Sequence, residues 1–263
     1  MRYGYCLRAE DFLPGENGAS VAAKLKDSGY EYFETALVTL AYMPEDKFEQ
    51  LLSAVKKEKT GIEALNIFFP GDIKLTGGKT DNCKVSEYLD IALSRALRVG
   101  AKIIVFGSAG ARSVPEGFPH QKAFEQLIGY LRLVSDKAKG LKIAIEPLNK
   151  KETNIINTVK EGYELVKKVN RQNIMLLADY YHMAVDNDPL ESISKYGDKI
   201  CHIHAADPDG RMLPTKMKDE YALFFEQLKK INYNGRISFE CGYKDLLADA
   251  KKAIDIFKAI EKK

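Results

Sequence analysis

Four apolar runs in the second half of the chain each close on a residue of metal-ligand type: Glu146 in KIAIEP, Asp179 in IMLLAD, His204 in ICHIH and Glu240 in RISFEC. Side chains alternate along an extended strand. Glu146 therefore shares a face with Ala144, Asp179 with Leu177 and Glu240 with Ser238, while Ile145, Ile237 and Phe239 point the other way. Strands that run parallel would bring three carboxylates and an imidazole together at one end of a sheet. In a low dielectric that many like charges cannot all stay ionised without a cation, and a divalent metal resolves the conflict. A site rich in oxygen with one nitrogen suits Mn²⁺ best, with Mg²⁺, Co²⁺ and Zn²⁺ as alternatives.

Further polar residues follow these runs closely: Glu152 after Glu146, His182 after Asp179 and Arg211 after His204. A substrate carrying several hydroxyls and a carbonyl needs such donors and acceptors near the metal, to orient it and to stabilise charge that develops on oxygen. Taken singly, an acid at a strand end can equally cap a helix, and Glu152 can equally sit in a surface ion pair. The reading rests on the four ligand types together.

These residues need a scaffold that returns every strand end to one side. Eight β-rich runs recur along the chain, at 3–7, 32–35, 64–67, 102–106, 142–146, 174–179, 200–204 and 236–240. Between and after them lie stretches of helical period, among them EDKFEQLLSAVKKEK, VSEYLDIALSRALRVG, KAFEQLIGYLRLVSDKAKG and LLADAKKAIDIFKAIEKK. Gly29 and Gly100 stand where helix C-caps belong. Eight strands alternating with eight helices predict a (β/α)8 TIM barrel whose active site lies at the C-terminal strand ends. A doubly wound open sheet would carry a Gly-rich turn after strand one, whereas this chain reads CLRAEDF there. Neither a linker nor a repeat interrupts residues 1–263, so a single domain is expected.

Composition agrees. The 263 residues include 40 Lys and Arg against 37 Asp and Glu, a net charge of +3, too small for a dedicated nucleic-acid or membrane-surface binder. With 45% apolar and 29% charged residues the chain can bury a full core. None of its apolar runs approaches the roughly 18 residues of a membrane span, and Arg2, Arg8, Glu10 and Asp11 break up any signal-peptide core. Cys6, Cys83, Cys201 and Cys241 form no CxxC pair, so neither disulfides nor a zinc ribbon is expected, and a cytoplasmic location follows.

EPLNKKETNIIN, ADYYHM, HIHAADPDGR and ISFECGY together resemble the diagnostic segments of the xylose isomerase-like TIM-barrel superfamily, in its sugar epimerase and isomerase branch. NIFFPGDIKLTG and IVFGSAGARSVPEGF resemble two further family segments, so the likeness runs the length of the chain. The resemblance implies that Glu146, Asp179, His204 and Glu240 bind the metal and that Glu146 and Glu240 are the catalytic acid/base pair. By the same resemblance Glu152, His182 and Arg211 contact substrate oxygens, with Glu34 a weaker candidate for a hydroxyl contact or a helix cap. The implied reaction is proton abstraction next to the carbonyl of a ketose or ketose phosphate, through an enediolate, by one glutamate on each side of the sugar plane. A homo-oligomer is what the resemblance suggests.

Where the family often continues with a Gly-Asp/Glu-Gly run after this arginine, the chain reads TKMKDEY, which leaves specificity open. The sequence contains no Trp, so an apolar wall against the sugar would come from residues such as Tyr5, Phe68 or Phe106, which could equally be core. Arg8, Lys79 and Arg112 are the cations that could meet a phosphate. A hydroxypyruvate-type isomerase or an inosose-type dehydratase would use the same site. An apurinic-endonuclease-like nuclease needs more histidine than His120, His182, His202 and His204 provide, and His202 lies one layer below His204, where a core role is expected. A barrel that only binds a sugar need not keep both glutamates and the whole quartet.

Overall fold

The computed structural model describes residues 1–15 and 18–262. Eight parallel strands close into a barrel in sequence order: β1 (Arg2–Cys6), β2 (Tyr32–Ala36), β3 (Ile62–Asn66), β4 (Ile103–Phe106), β5 (Lys142–Ile145), β6 (Ile174–Asp179), β7 (Ile200–Ala205) and β8 (Arg236–Phe239), with β1 pairing β8. Around it run the helices α1 (Val21–Asp27), α2 (Leu37–Tyr42), α3 (Glu45–Glu58), α4 (Asn82–Arg98), α5 (Ala109–Arg112), α6 (His120–Lys137), α7 (Val159–Val169), α8 (Tyr180–Asp186), α9 (Glu191–Lys195), α10 (Asp219–Lys230) and α11 (Leu246–Glu261). The expected (β/α)8 barrel is the observed fold. Among the described residues no helix is long and apolar enough to cross a membrane.

Alternation along the strands sorts the core into two layers. Tyr32, Ala64, Ile103, Val105, Ala144 and Leu177 fill the barrel interior. Ile145, Ile237 and Phe239 face the helices, in the larger cluster with residues such as Leu165, Phe224 and Phe257. The floor of the barrel is polar: Arg2 and Arg236 both donate to Glu63, at 2.7 and 2.8 Å, and their guanidinium carbons lie 5.5 and 5.7 Å from the Tyr32 ring centroid. Gly4 makes room for that ring, since a Cβ there would fall 2.4 Å from it.

Small departures from the expected boundaries matter for the site. β3 starts at Ile62 and stops at Asn66, because Ile67 takes φ 46° and turns the chain out of the ladder. β5 and β8 stop one residue before Glu146 and Glu240, so each of these side chains leaves the first residue beyond its strand. Three short helices, α2, α5 and α8, start within three residues of a strand end and were not expected. They are too brief for a 3.6-residue period to register. The last helix follows LLADAKKAIDIFKAIE as expected, and Lys263 lies outside the described residues.

Candidate active site

Glu146 is fixed by backbone before its side chain does anything. Its N–H donates to Phe106 O at 3.2 Å, and the buried Arg112 donates to Glu146 O at 2.7 Å and Phe106 O at 2.9 Å, tying the ends of β4 and β5 together. Burial lowers the Arg112 pKa to about 10. Arg112 was a candidate phosphate contact, but its guanidinium is spent on main-chain carbonyls inside the protein. Asp179 ends β6 and caps α8, accepting from Tyr181 N at 2.7 Å and His182 N at 3.4 Å through Oδ1. Its Oδ2 is left to face the barrel axis, 3.9 Å from His204 Nδ1.

His204, fully buried on β7, is the hub. Nδ1 lies 3.0 Å from Glu146 Oε1 and 3.6 Å from Glu240 Oε2. One ligand atom from each of Glu146, Asp179, His204 and Glu240 lies within 4.8 Å of all the others. The predicted quartet therefore comes together, and its donor set of three carboxylates and one imidazole nitrogen fits a divalent cation. Burial, with Glu240 adding to it, raises the Glu146 pKa. Glu240 feels the same burial, but His204 and Arg211 pull it down to about 2. Burial disfavours a charged His204, yet Glu34 and Glu240 raise its pKa well above the usual imidazole range.

The three predicted substrate contacts flank this centre. His182 is 2% exposed, and its Nδ1 accepts from Asn149 N at 3.2 Å and faces Asn149 Nδ2 at 2.8 Å. Two donors on Nδ1 assign the ring proton to Nε2, which is buried without a hydrogen-bond partner, 3.6 Å from Asp179 Oδ2. Arg211, at φ 53°, sits in a turn closed by Asp207 and Met212, with Met212 bridged in turn to Gly242. Its guanidinium lies 4.8 Å over the Tyr181 ring, bonds Glu240 Oε2 and stands 3.4 Å from Glu152 Oε1. Glu152 is held by Asn149 Nδ2 at 3.1 Å.

A cavity of about 240 Å³ opens among Asn66, Ile67, Glu146, Glu152, Arg211 and Glu240. Two larger grooves, of about 510 and 490 Å³, share no residue with it. Asn66 was missed by the sequence reading although it closes β3 just as the ligands close their own strands, and its Nδ2 donates to Glu240 Oε1 at 2.7 Å. Gly107, also missed, lies where a Cβ would come 2.2 Å from Glu146 Oε2.

Other candidates fall elsewhere. Tyr5, Phe68 and Phe106 are at most 1% exposed and belong to the outer core, so none is a substrate wall; Ile67, 51% exposed, stands at the cavity instead. Glu34 is wholly buried inside the barrel and does not line the cavity; its carboxylate faces His202, His204 and Ser238, and the helix after its strand has Ala36 at its N-cap, with no side-chain cap. His202 has the expected buried position, bonded through Nε2 to Glu34 at 3.0 Å. Arg8 pairs with Asp11, and Lys79 is exposed away from the cavity. All four cysteines are free. In the TKMKDEY stretch, Lys218 and Tyr221 bond Asp207 at 2.8 and 2.7 Å, so this segment buttresses the turn that carries Arg211.

The chain is 40% identical over 103 residues to an L-ribulose 3-epimerase of Methylomonas sp. (strain DH-1), spanning 39% of this chain and 36% of that one. It is 30% identical over 161 residues to a 2-oxo-tetronate isomerase of Haemophilus influenzae, spanning 59% of this chain and 60% of that one. The chain thus spans about one to two thirds of these curated relatives. In fold it is similar to the D-psicose 3-epimerase of Clostridium cellulolyticum H10 solved with D-tagatose, with TM-score 0.82 over 99% of both chains at 20% identity. The profile of the xylose isomerase-like TIM barrel matches residues 22–260, and the chain belongs to that family.

Proposed function

We propose that the protein is a divalent-metal-dependent sugar epimerase or isomerase that moves a proton at the carbon next to a ketose carbonyl, with Mn²⁺ the best-suited ion. The observation that carries this reading is the approach of Glu146 from β5 and Glu240 from β8 to one centre, each within 3.6 Å of His204 Nδ1. Glu146, Asp179, His204 and Glu240 would hold the cation, which would supply Lewis acidity for charge developing on substrate oxygens. One glutamate removes the α-proton and the other returns a proton to the opposite side, inverting the centre. Arg211 and Asn66 hold Glu240 from its two oxygens. His182 offers its free Nε2–H to a substrate oxygen, and Glu152 accepts from a hydroxyl.

A free ketose fits better than a phosphorylated one. Arg211 is the only cation lining the cavity among the described residues, and it is already paired with Glu240 and Glu152. An isomerase of small 2-oxo acids is the second reading, favoured by the longer stretch matched to the 2-oxo-tetronate isomerase. The quartet's single histidine gives no support to a histidine-rich nuclease centre.

The deciding experiment follows deuterium incorporation by NMR across free ketoses, their phosphates and 2-oxo acids, with Mn²⁺-loaded and chelated protein. Metal-dependent exchange next to the carbonyl of a ketose is expected. A protein that binds the metal yet exchanges no compound in the panel would overturn the proposal.

A further inference from the structure

Glu34 lies one layer beneath the metal-ligand quartet, on β2, and is entirely shielded from solvent. Its carboxylate is nevertheless crowded with donors. His204 Nε2 is 3.1 Å from Oε1 and 3.2 Å from Oε2, His202 Nε2 is 3.0 Å from Oε2, and Ser238 Oγ donates to Oε2 at 2.7 Å. Ser238 is in turn 2.9 Å from the hydroxyl of Tyr32, whose ring fills the barrel below. This chain of contacts joins β2, β7 and β8 across the barrel axis, from the arginine-lined floor to the imidazole at the mouth.

An imidazole binds a metal through a nitrogen lone pair, and the proton of the neutral ring then sits on the other nitrogen. His204 turns Nδ1 to Glu146, Asp179 and Glu240, so Nε2 must carry the proton, and Glu34 is the acceptor that faces it. We propose that Glu34 is a positioning residue for the metal centre, holding His204 through Nε2–H so that Nδ1 is the ligating nitrogen, with His202, Ser238 and Tyr32 fixing Glu34 in turn. Glu34 does not line the cavity, and both its oxygens are occupied by His204, His202 and Ser238. Its negative charge also makes the opposite nitrogen a stronger donor than a neutral acceptor would. The inference rests on the metal-centre reading above but needs no particular sugar.

The test compares Mn²⁺ affinity by calorimetry for the full chain, Glu34→Gln and Glu34→Asp. It is read beside nitrogen-15 shifts of His204 in the Zn²⁺-loaded wild type. Gln keeps shape and an acceptor but removes the charge; Asp keeps the charge but withdraws it by one methylene. Both are expected to weaken binding roughly 10- to 100-fold, and the wild-type spectrum is expected to show a protonated Nε2 and a metal-bound Nδ1. Folded variants with wild-type affinity would overturn the proposal, as would a wild type that binds no divalent ion. If neither variant folds, a wild-type His204 that ligates through Nε2 overturns it equally. A protein that binds metal with the expected signature but turns over no ketose would sink the proposed reaction and leave this inference standing.

Discussion

Asn66 Nδ2 donates to Glu240 Oε1 at 2.7 Å across the barrel mouth, joining the ends of β3 and β8. Arg211 holds the other oxygen of the same carboxylate, so Glu240 is clamped from two directions. A hydrogen bond to a charged group contributes about 1.5–3 kcal/mol, which corresponds to roughly one to two powers of ten in rate if it is needed to aim the carboxylate. Asn66→Ala is therefore expected to lower kcat/KM roughly 10- to 100-fold. Asn66→Asp should lower it further, because a second carboxylate repels the first. Steady-state kinetics on both variants check this, and an Asn66→Asp enzyme faster than Asn66→Ala would refute the clamp.

Gly107 and Glu146 make a tighter pair. A Cβ at 107 would come 2.2 Å from Glu146 Oε2, and the backbone there has no positive φ to explain the glycine otherwise. Gly107→Ala is expected to displace the carboxylate, weakening metal binding and lowering kcat by roughly 100-fold, with a stability loss of about 1–3 kcal/mol from overpacking. Calorimetric metal titration beside thermal denaturation separates the two effects. Unchanged metal affinity would mean that Glu146 can be moved freely.

The barrel and its ligand quartet were legible because the physics that creates them is local. An apolar run that ends on a polar residue marks a strand and the mouth of the barrel at once, and Glu146, Asp179, His204 and Glu240 all carry that mark. Asn66 carries it too, and the rule applied to EALN would have found it. Glu34 was legible as a strand-end acid but not as the partner of two histidines, because that partnership crosses the barrel between β2 and β7 and leaves no trace in spacing. Arg112 looked like a free cation since nothing in sequence shows that a side chain will fold back onto the carbonyls of Phe106 and Glu146. The short helix α8 was hidden by its length, although the capping carboxylate of Asp179 was in view.

Removing either member of the acid/base pair is expected to remove the chemistry. General acid–base catalysis contributes roughly 10²–10⁴-fold, so Glu146→Gln and Glu240→Gln should each lose turnover by that factor even at saturating metal. Both side chains also contribute to the ligand set, so each variant must be assayed with bound metal verified by elemental analysis. Full turnover by Glu240→Gln with metal in place would show that its role in proton transfer is misassigned.

pH acts on the same centre with a definite sign. In the metal-free protein Glu34, Glu146, Asp179 and Glu240 all face His204, and its pKa in the folded state stands well above the imidazole range. A group whose pKa is raised by folding stabilises the native state fully below its unfolded value, about 6.5, and that contribution is lost as pH rises through the folded value. The melting temperature of chelated protein is therefore expected to fall as pH is raised above neutrality. Metal binding needs the unprotonated Nδ1, so Mn²⁺ affinity should rise over the same range, with protons released to the buffer on binding. Thermal melts of the chelated and loaded protein from pH 6 to 9 should diverge as pH rises. Parallel curves would place the controlling ionisation somewhere other than His204.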